Sequence, residues 1–118
     1  MPKIILLLTC AAIVTAQTPS SKSAAPNPPG DAKNGQRIFE SYGCYQCHGH
    51  DGHGGAGARL APNPITFTAF VRYVRQPTGE MPPYTSKVVT EQELADIFAF
   101  LKSLPPPPPA KSIPLLNH

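Results

Sequence analysis

No tryptophan occurs anywhere in this chain, and Met81 is the only methionine besides the initiator. Cysteine is scarce too: a single C-x-x-C pair, Cys44 and Cys47, and a lone Cys10. With no second pair, a four-cysteine zinc site is excluded. Charge of one sign is also missing where a nucleic-acid binder needs it. The net charge is +3 with histidines neutral, but Lys3, Lys22 and Lys111 lie outside the segment 31–104. Inside it, Lys33, Arg37, Arg59, Arg72, Arg75, Lys87 and Lys102 are matched by Asp31, Glu40, Asp51, Glu80, Glu91, Glu93 and Asp96. A near-neutral segment without a basic stripe argues against nucleic acid. Arg59, Arg72 and Arg75 fall mid-segment, and Glu91, Glu93 and Asp96 cluster late. Both groups read as solvated surface, the arginines being suited to orient an acidic partner. Strand patterns are lacking as well, since Val88-Val89 is too short to count.

Long apolar runs are lacking except at the start. Lys3 precedes an apolar stretch from Ile4 to Val14, and Val14-Thr15-Ala16 forms a small-residue exit before Gln17. This is the pattern of an export signal over residues 1–16, too short to span a bilayer. Cys10 lies within it and is read as a thiol in a discarded segment, Thr9 being a poor residue before a lipidation site.

Proline, by contrast, is abundant, with 16 residues. Residues 17–30 form a proline- and serine-rich linker without periodicity. Pro105 to Pro109 is an unbroken run that must stop any helix before it and favours an extended polyproline II form. Residues 105–118 are therefore a tail, and residues 31–104 remain as the folded unit. A unit that short usually needs a staple, a metal or a cofactor.

Within that unit the spacing predicts helices. The first opens on Asp31 as N-cap and runs to about Tyr42, with Gly43 as the stop. It sets Gly35, Ile38, Phe39 and Tyr42 on one face. The internal Gly35 costs about 1 kcal/mol against alanine and so needs a packing reason. A shorter helix spans Thr66 to Arg75, with Phe67, Phe70, Val71 and Val74 inward and Pro77 beyond its end. The last runs from Thr90, which pairs with Glu93 as a capping box, to Leu104. Its apolar stripe is Leu94, Ile97, Phe98, Leu101 and Leu104.

Cys44-Tyr45-Gln46-Cys47-His48 is C-x-x-C-H. Two cysteines three residues apart share one side of a helical turn. Their thiols can add to the two vinyl groups of a haem, and His48 then reaches the iron from the same face. A thioredoxin-like redox pair needs a βαβ context, which is missing. A disulfide across so short a loop would be strained.

With these residues in view, the sequence resembles the monohaem class I cytochromes c over about Asp31 to Leu104. Gly35 and Phe39 match the first helix of that family, and Cys44, Cys47 and His48 its attachment site. Gly57 to Leu60 resembles the following loop, Met81-Pro82 the distal-ligand loop, and Ile97, Phe100 and Leu101 the last helix. The resemblance implies an all-α cytochrome c fold, three to four helices and loops wrapped around one covalent haem c. It implies that the terminal helices cross closely at Gly35, with Phe39 packing on Ile97 and Phe100.

Met81 is the expected second axial ligand. Gly79 lets its loop turn in, and Pro82 and Pro83 stiffen it. His50 and His53 sit too near His48 to cross the haem plane and are read as a solvated loop, and His118 is terminal. The resemblance also implies that a backbone carbonyl fixes the His48 ring. Ala58 stands where that family often has proline, and its carbonyl serves equally. That family often sets a tryptophan near a haem propionate, and this chain has none. Arg59, Tyr73, Arg75 or Tyr84 is a candidate for that role by charge or hydroxyl hydrogen bonding, each being equally readable as an ordinary surface or core residue. Leu60 is a further expected haem neighbour. The expected function is a periplasmic one-electron carrier, a monomer without a membrane span that meets redox partner proteins, and not an enzyme. The alternatives are a haem-bearing subunit of a larger oxidoreductase, or a haem enzyme or sensor with a displaceable sixth ligand.

Overall fold

In the computed structural model, which describes residues 27–62 and 64–116, every regular element is helical. The expected export signal, Cys10, most of the expected linker and His118 lie outside the described residues. Helix α1 (Ala32–Ser41) starts where the Asp31 carboxylate accepts the amides of Lys33 and Asn34 at 2.9 and 3.2 Å. Such a cap contributes about 1 kcal/mol. The helix ends at Tyr42, and Gly43 turns the chain with φ of 74°. A single turn, α2 (Tyr45–His48), follows.

Helix α3 (Phe67–Arg75) is capped by Thr66 and stops at Gln76, one residue before Pro77. Helix α4 (Glu91–Ser103) opens on the capping box of Thr90 and Glu93 and closes at Leu104, where Pro105 cannot continue it. After the proline run come two 3-10 turns, Ala110–Ser112 and Pro114–Leu116. No helix among the described residues is long and apolar enough to cross a membrane.

The core lies where α1 crosses α4. A Cβ on Gly35 would stand 2.0 Å from the Asp96 carbonyl oxygen, so only glycine lets the two backbones meet there. Phe39 and Phe100 pack at the crossing with ring centroids 5.6 Å apart. Ile38, Phe39, Leu94 and Leu101 are fully buried. On its other side α4 carries Phe98, which meets Phe67 and Phe70 of α3 at 5.4 and 5.6 Å. Because α4 is clasped from two sides, its buried set is wider than the expected stripe. Ala95 and Phe100 join it, while Phe98 and Leu104 are half-buried.

Asp96 corrects an expectation. It is not part of a surface acid cluster but is 5% exposed. Its carboxylate accepts from the Asp31 amide (2.9 Å), Asn34 Nδ2 (2.7 Å) and Gln92 Nε2 (3.1 Å), tying the start of α1 to α4. Burial pushes its pKa up, and the hydrogen bonds from Asp31, Asn34 and Gln92 more than offset this, leaving the group below its ordinary value. Gln92 also donates to the Pro29 carbonyl at 2.7 Å, which lays the end of the linker on the same helix.

Candidate haem centre

The motif is delivered by the end of α1. The Cys44 amide donates to the Phe39 carbonyl at 3.0 Å, and the His48 amide donates back to the Cys44 carbonyl at 3.1 Å. Cys44 is half-buried, Cys47 exposed, and both are unbridged. Burial pushes the Cys44 thiol above its ordinary pKa, against a smaller lowering by a backbone hydrogen bond. The phenol of Tyr84 is raised too, by burial first and then by smaller contributions from Cys44 and Cys47.

The loop after the motif folds back over it through its main chain. The amides of Gly54 and Gly57 donate to the carbonyls of His48 and Cys47 at 2.9 and 2.8 Å. Those of Leu60 and Ala61 both reach the Gly52 carbonyl. This brings Gly57 against the His48 ring: a Cβ there would sit 2.8 Å from Cε1 and 2.9 Å from Nδ1. The imidazole thus occupies a cradle that any side chain would fill. His48 Nδ1 lies 2.7 Å from the Ala58 carbonyl oxygen. A carbonyl only accepts, so Nδ1 carries the proton, and Nε2 of the neutral ring keeps its lone pair. That is the tautomer a metal-ligating histidine needs.

The two nearby histidines separate. His50 is exposed and stacks on Tyr45, ring centroids 4.3 Å apart. His53 corrects the expectation of a solvated loop. Its side chain is 17% exposed, with Nδ1 3.0 Å from the Asp51 carboxylate and Nε2 2.9 Å from the Pro105 carbonyl oxygen. It therefore ties the motif loop to the root of the proline run, a contact between residues far apart in sequence that no local pattern announces.

Met81 lies on the irregular segment between α3 and α4, half-buried against the core. Gly79 turns that segment with φ of 76°. Of the remaining expected haem surroundings, Leu60 is half-buried against the core and Arg59 is exposed. The Tyr73 hydroxyl lies 3.1 Å from both the Thr78 carbonyl oxygen and Thr78 Oγ1. Arg75 Nη1 donates to the Tyr84 carbonyl at 2.8 Å, and the Tyr84 hydroxyl donates to the Tyr42 carbonyl at 3.2 Å. Gly57 as the cradle and Tyr42 as an acceptor were not singled out from sequence. The glycine-rich stretch beside the motif was the available signal for the first. The second acts through its backbone and leaves none.

Two unbridged thiols on one turn, an imidazole whose Nε2 is free, and a thioether on a separate segment fit a c-type haem. No curated protein and no solved structure matches the chain significantly. The model of the family described as "Cytochrome C oxidase, cbb3-type, subunit III" does match, over residues 30–101. That span takes in α1, the C-x-x-C-H turn, α3, the Met81 segment and nearly all of α4. Its membership implies haem-based electron transfer with covalent haem c, and on the strength of that match the chain belongs to this family of class I cytochrome c-type domains.

Proposed function

We propose that this chain is a one-electron carrier whose single haem c is bonded to Cys44 and Cys47 and held axially by His48 and Met81. The observation that carries the reading is the His48 ring, seated on Gly57 and fixed at Nδ1 by the Ala58 carbonyl. When bound, the haem supplies an iron centre that gains and loses one electron. The chain's residues do the rest. Cys44 and Cys47 hold the group by covalent bonds in a domain too small to enclose it by packing alone. Ala58 keeps the His48 proton on Nδ1 and so keeps Nε2 available through both oxidation states. The Met81 thioether is a soft donor that favours the reduced form and raises the potential above that of a two-histidine site. With both axial positions filled by the protein, no position is left for a substrate, which makes the domain a carrier rather than an enzyme. The export signal expected over residues 1–16 supports a periplasmic location.

A second reading has its own support. The matched family is described by a subunit of an oxidase, which favours a haem-bearing subunit over a freely diffusing shuttle. Purified native protein gives, on this account, a pyridine haemochrome of one haem c per chain, and its reduced form does not bind carbon monoxide rapidly. Rapid carbon monoxide binding would mean an open or displaceable sixth position and would replace the carrier with a sensor or enzyme. Size-exclusion chromatography of a gentle membrane extract separates the two carrier readings, because a docked subunit co-elutes with a large partner.

A further inference from the structure

The segment that carries Met81 has little packing of its own. Between Gln76 and Ser86 every residue but Pro77, Met81 and Tyr84 is exposed. Gly79, two residues before the methionine, is turned with φ of 76° and has no atom near the place of a Cβ. A stretch so poor in buried contacts opens easily unless something pins it. Tyr84, three residues after Met81, is pinned at every polar group it has. Its amide donates to the Val74 carbonyl at 3.0 Å. Its carbonyl accepts from Arg75 Nη1 at 2.8 Å. Its hydroxyl donates to the Tyr42 carbonyl at 3.2 Å. The three partners belong to the end of α3 and to the cap residue of α1, which leads into the motif.

We propose that Tyr84 is a three-point anchor that keeps the Met81 thioether on the iron, with the Arg75 guanidinium as its main strap. The inference rests on Met81 being an axial ligand. Arg75 is thereby a positioning residue, acting through the Tyr84 carbonyl rather than by its charge on the haem. Of the three bonds, the one from Arg75 has an ionised donor, and bonds of that kind are about twice as strong as neutral ones. The Tyr84 amide bond is main chain to main chain and survives any substitution, so Arg75 and the phenol are the parts that mutation can remove. The tie at the other end of the segment, Tyr73 to Thr78, is exposed and open to competition from water.

The test is imidazole titration of the oxidised holoprotein, followed by the near-infrared sulfur-to-iron charge-transfer band. The wild type shows the band, and imidazole abolishes it as it displaces the sulfur. Arg75→Gln binds imidazole tighter by about tenfold or more, the effect of losing one charge-assisted hydrogen bond. Arg75→Lys, which keeps the charge and one donor, falls between. Tyr84→Phe shows a smaller increase, and Arg72→Gln, exposed on the same helix, titrates as wild type. An Arg75→Gln protein with wild-type imidazole affinity overturns the anchor, whatever its reduction potential does. If that variant does not load haem, wild-type affinity in both Arg75→Lys and Tyr84→Phe overturns it instead. A wild type with no band at all is a different failure, removing the Met81 ligand and the anchor with it.

Discussion

The crossing of α1 and α4 and the segment that carries Met81 are held by opposite means. At the crossing, backbone lies on backbone at Gly35, aromatic rings interlock, and a buried carboxylate gathers three donors. Around Met81 almost everything is exposed, and position depends on a few hydrogen bonds to main-chain atoms. One side buys rigidity with burial. The other is left weakly packed. The lesson is that stability and ligand position are separable here, and substitutions should sort accordingly.

The largest effect is expected at the crossing. Gly35→Val puts side-chain atoms into the Asp96–Ile97 backbone, and urea unfolding should show a loss of more than about 3 kcal/mol. A loss below about 1 kcal/mol, within the range of an ordinary surface change, would mean the helices do not need to touch there. Next, Asp96→Ala strands the Asp31 amide and the Asn34 side chain and should cost about 2–3 kcal/mol. The pH dependence follows from the sign of its shift. The folded pKa lies below the ordinary value of 3.8, so the stabilisation is complete above that value and is lost as pH falls through the lower folded one. Asp96→Asn should therefore flatten the acid limb of the stability curve, and an unchanged limb would remove Asp96 from it.

On the loop side the effects move from stability to the site. Gly57→Ala forces its methyl against the His48 ring. Unfolding should shift by about 1 kcal/mol or less, while the paramagnetically shifted proton signals of the His48 ring move clearly. Stability lost with those signals unmoved would break the comparison. Smallest of all, His53→Ala should cost about 1 kcal/mol or less and lower the NMR order parameters of Ala110–Ser112, because the Pro105 carbonyl loses its partner. Unchanged order parameters would show that this tie does not steady the tail.

What could be read from the sequence follows the same division. The helix ends were legible because their signals are local: Asp31 before α1, Thr66 before α3, Thr90 with Glu93 before α4, and Pro77 and Pro105 beyond the ends. The inward faces of α1 and α3 follow from spacing, with Tyr42 and Val71 only half-buried. Gly35 needed a packing reason, and the α4 backbone is that reason. Long-range pairings were not legible. Asp96 looks like its neighbours Glu91 and Glu93 in sequence and differs only because α1 lays Asp31 and Asn34 over it. His53 reaches Pro105 across the fold, and Val89, half of a pair too short to be a strand, is a buried core residue. At the candidate site, residue chemistry marked Cys44, Cys47, His48 and Met81. The atom that fixes the His48 ring is the main-chain carbonyl of Ala58, and Tyr84 is held by the carbonyls of Tyr42 and Val74, where side-chain identity carries little information.

In the proposed centre one iron sits between an imidazole nitrogen and a thioether sulfur. The most direct measurement is the near-infrared absorption of the oxidised purified protein beside that of Met81→Ala. The weak sulfur-to-iron band is expected in the first and is lost in the second, with haem content equal in both. A band missing from the unaltered protein, or still present after the methionine is gone, would contradict it.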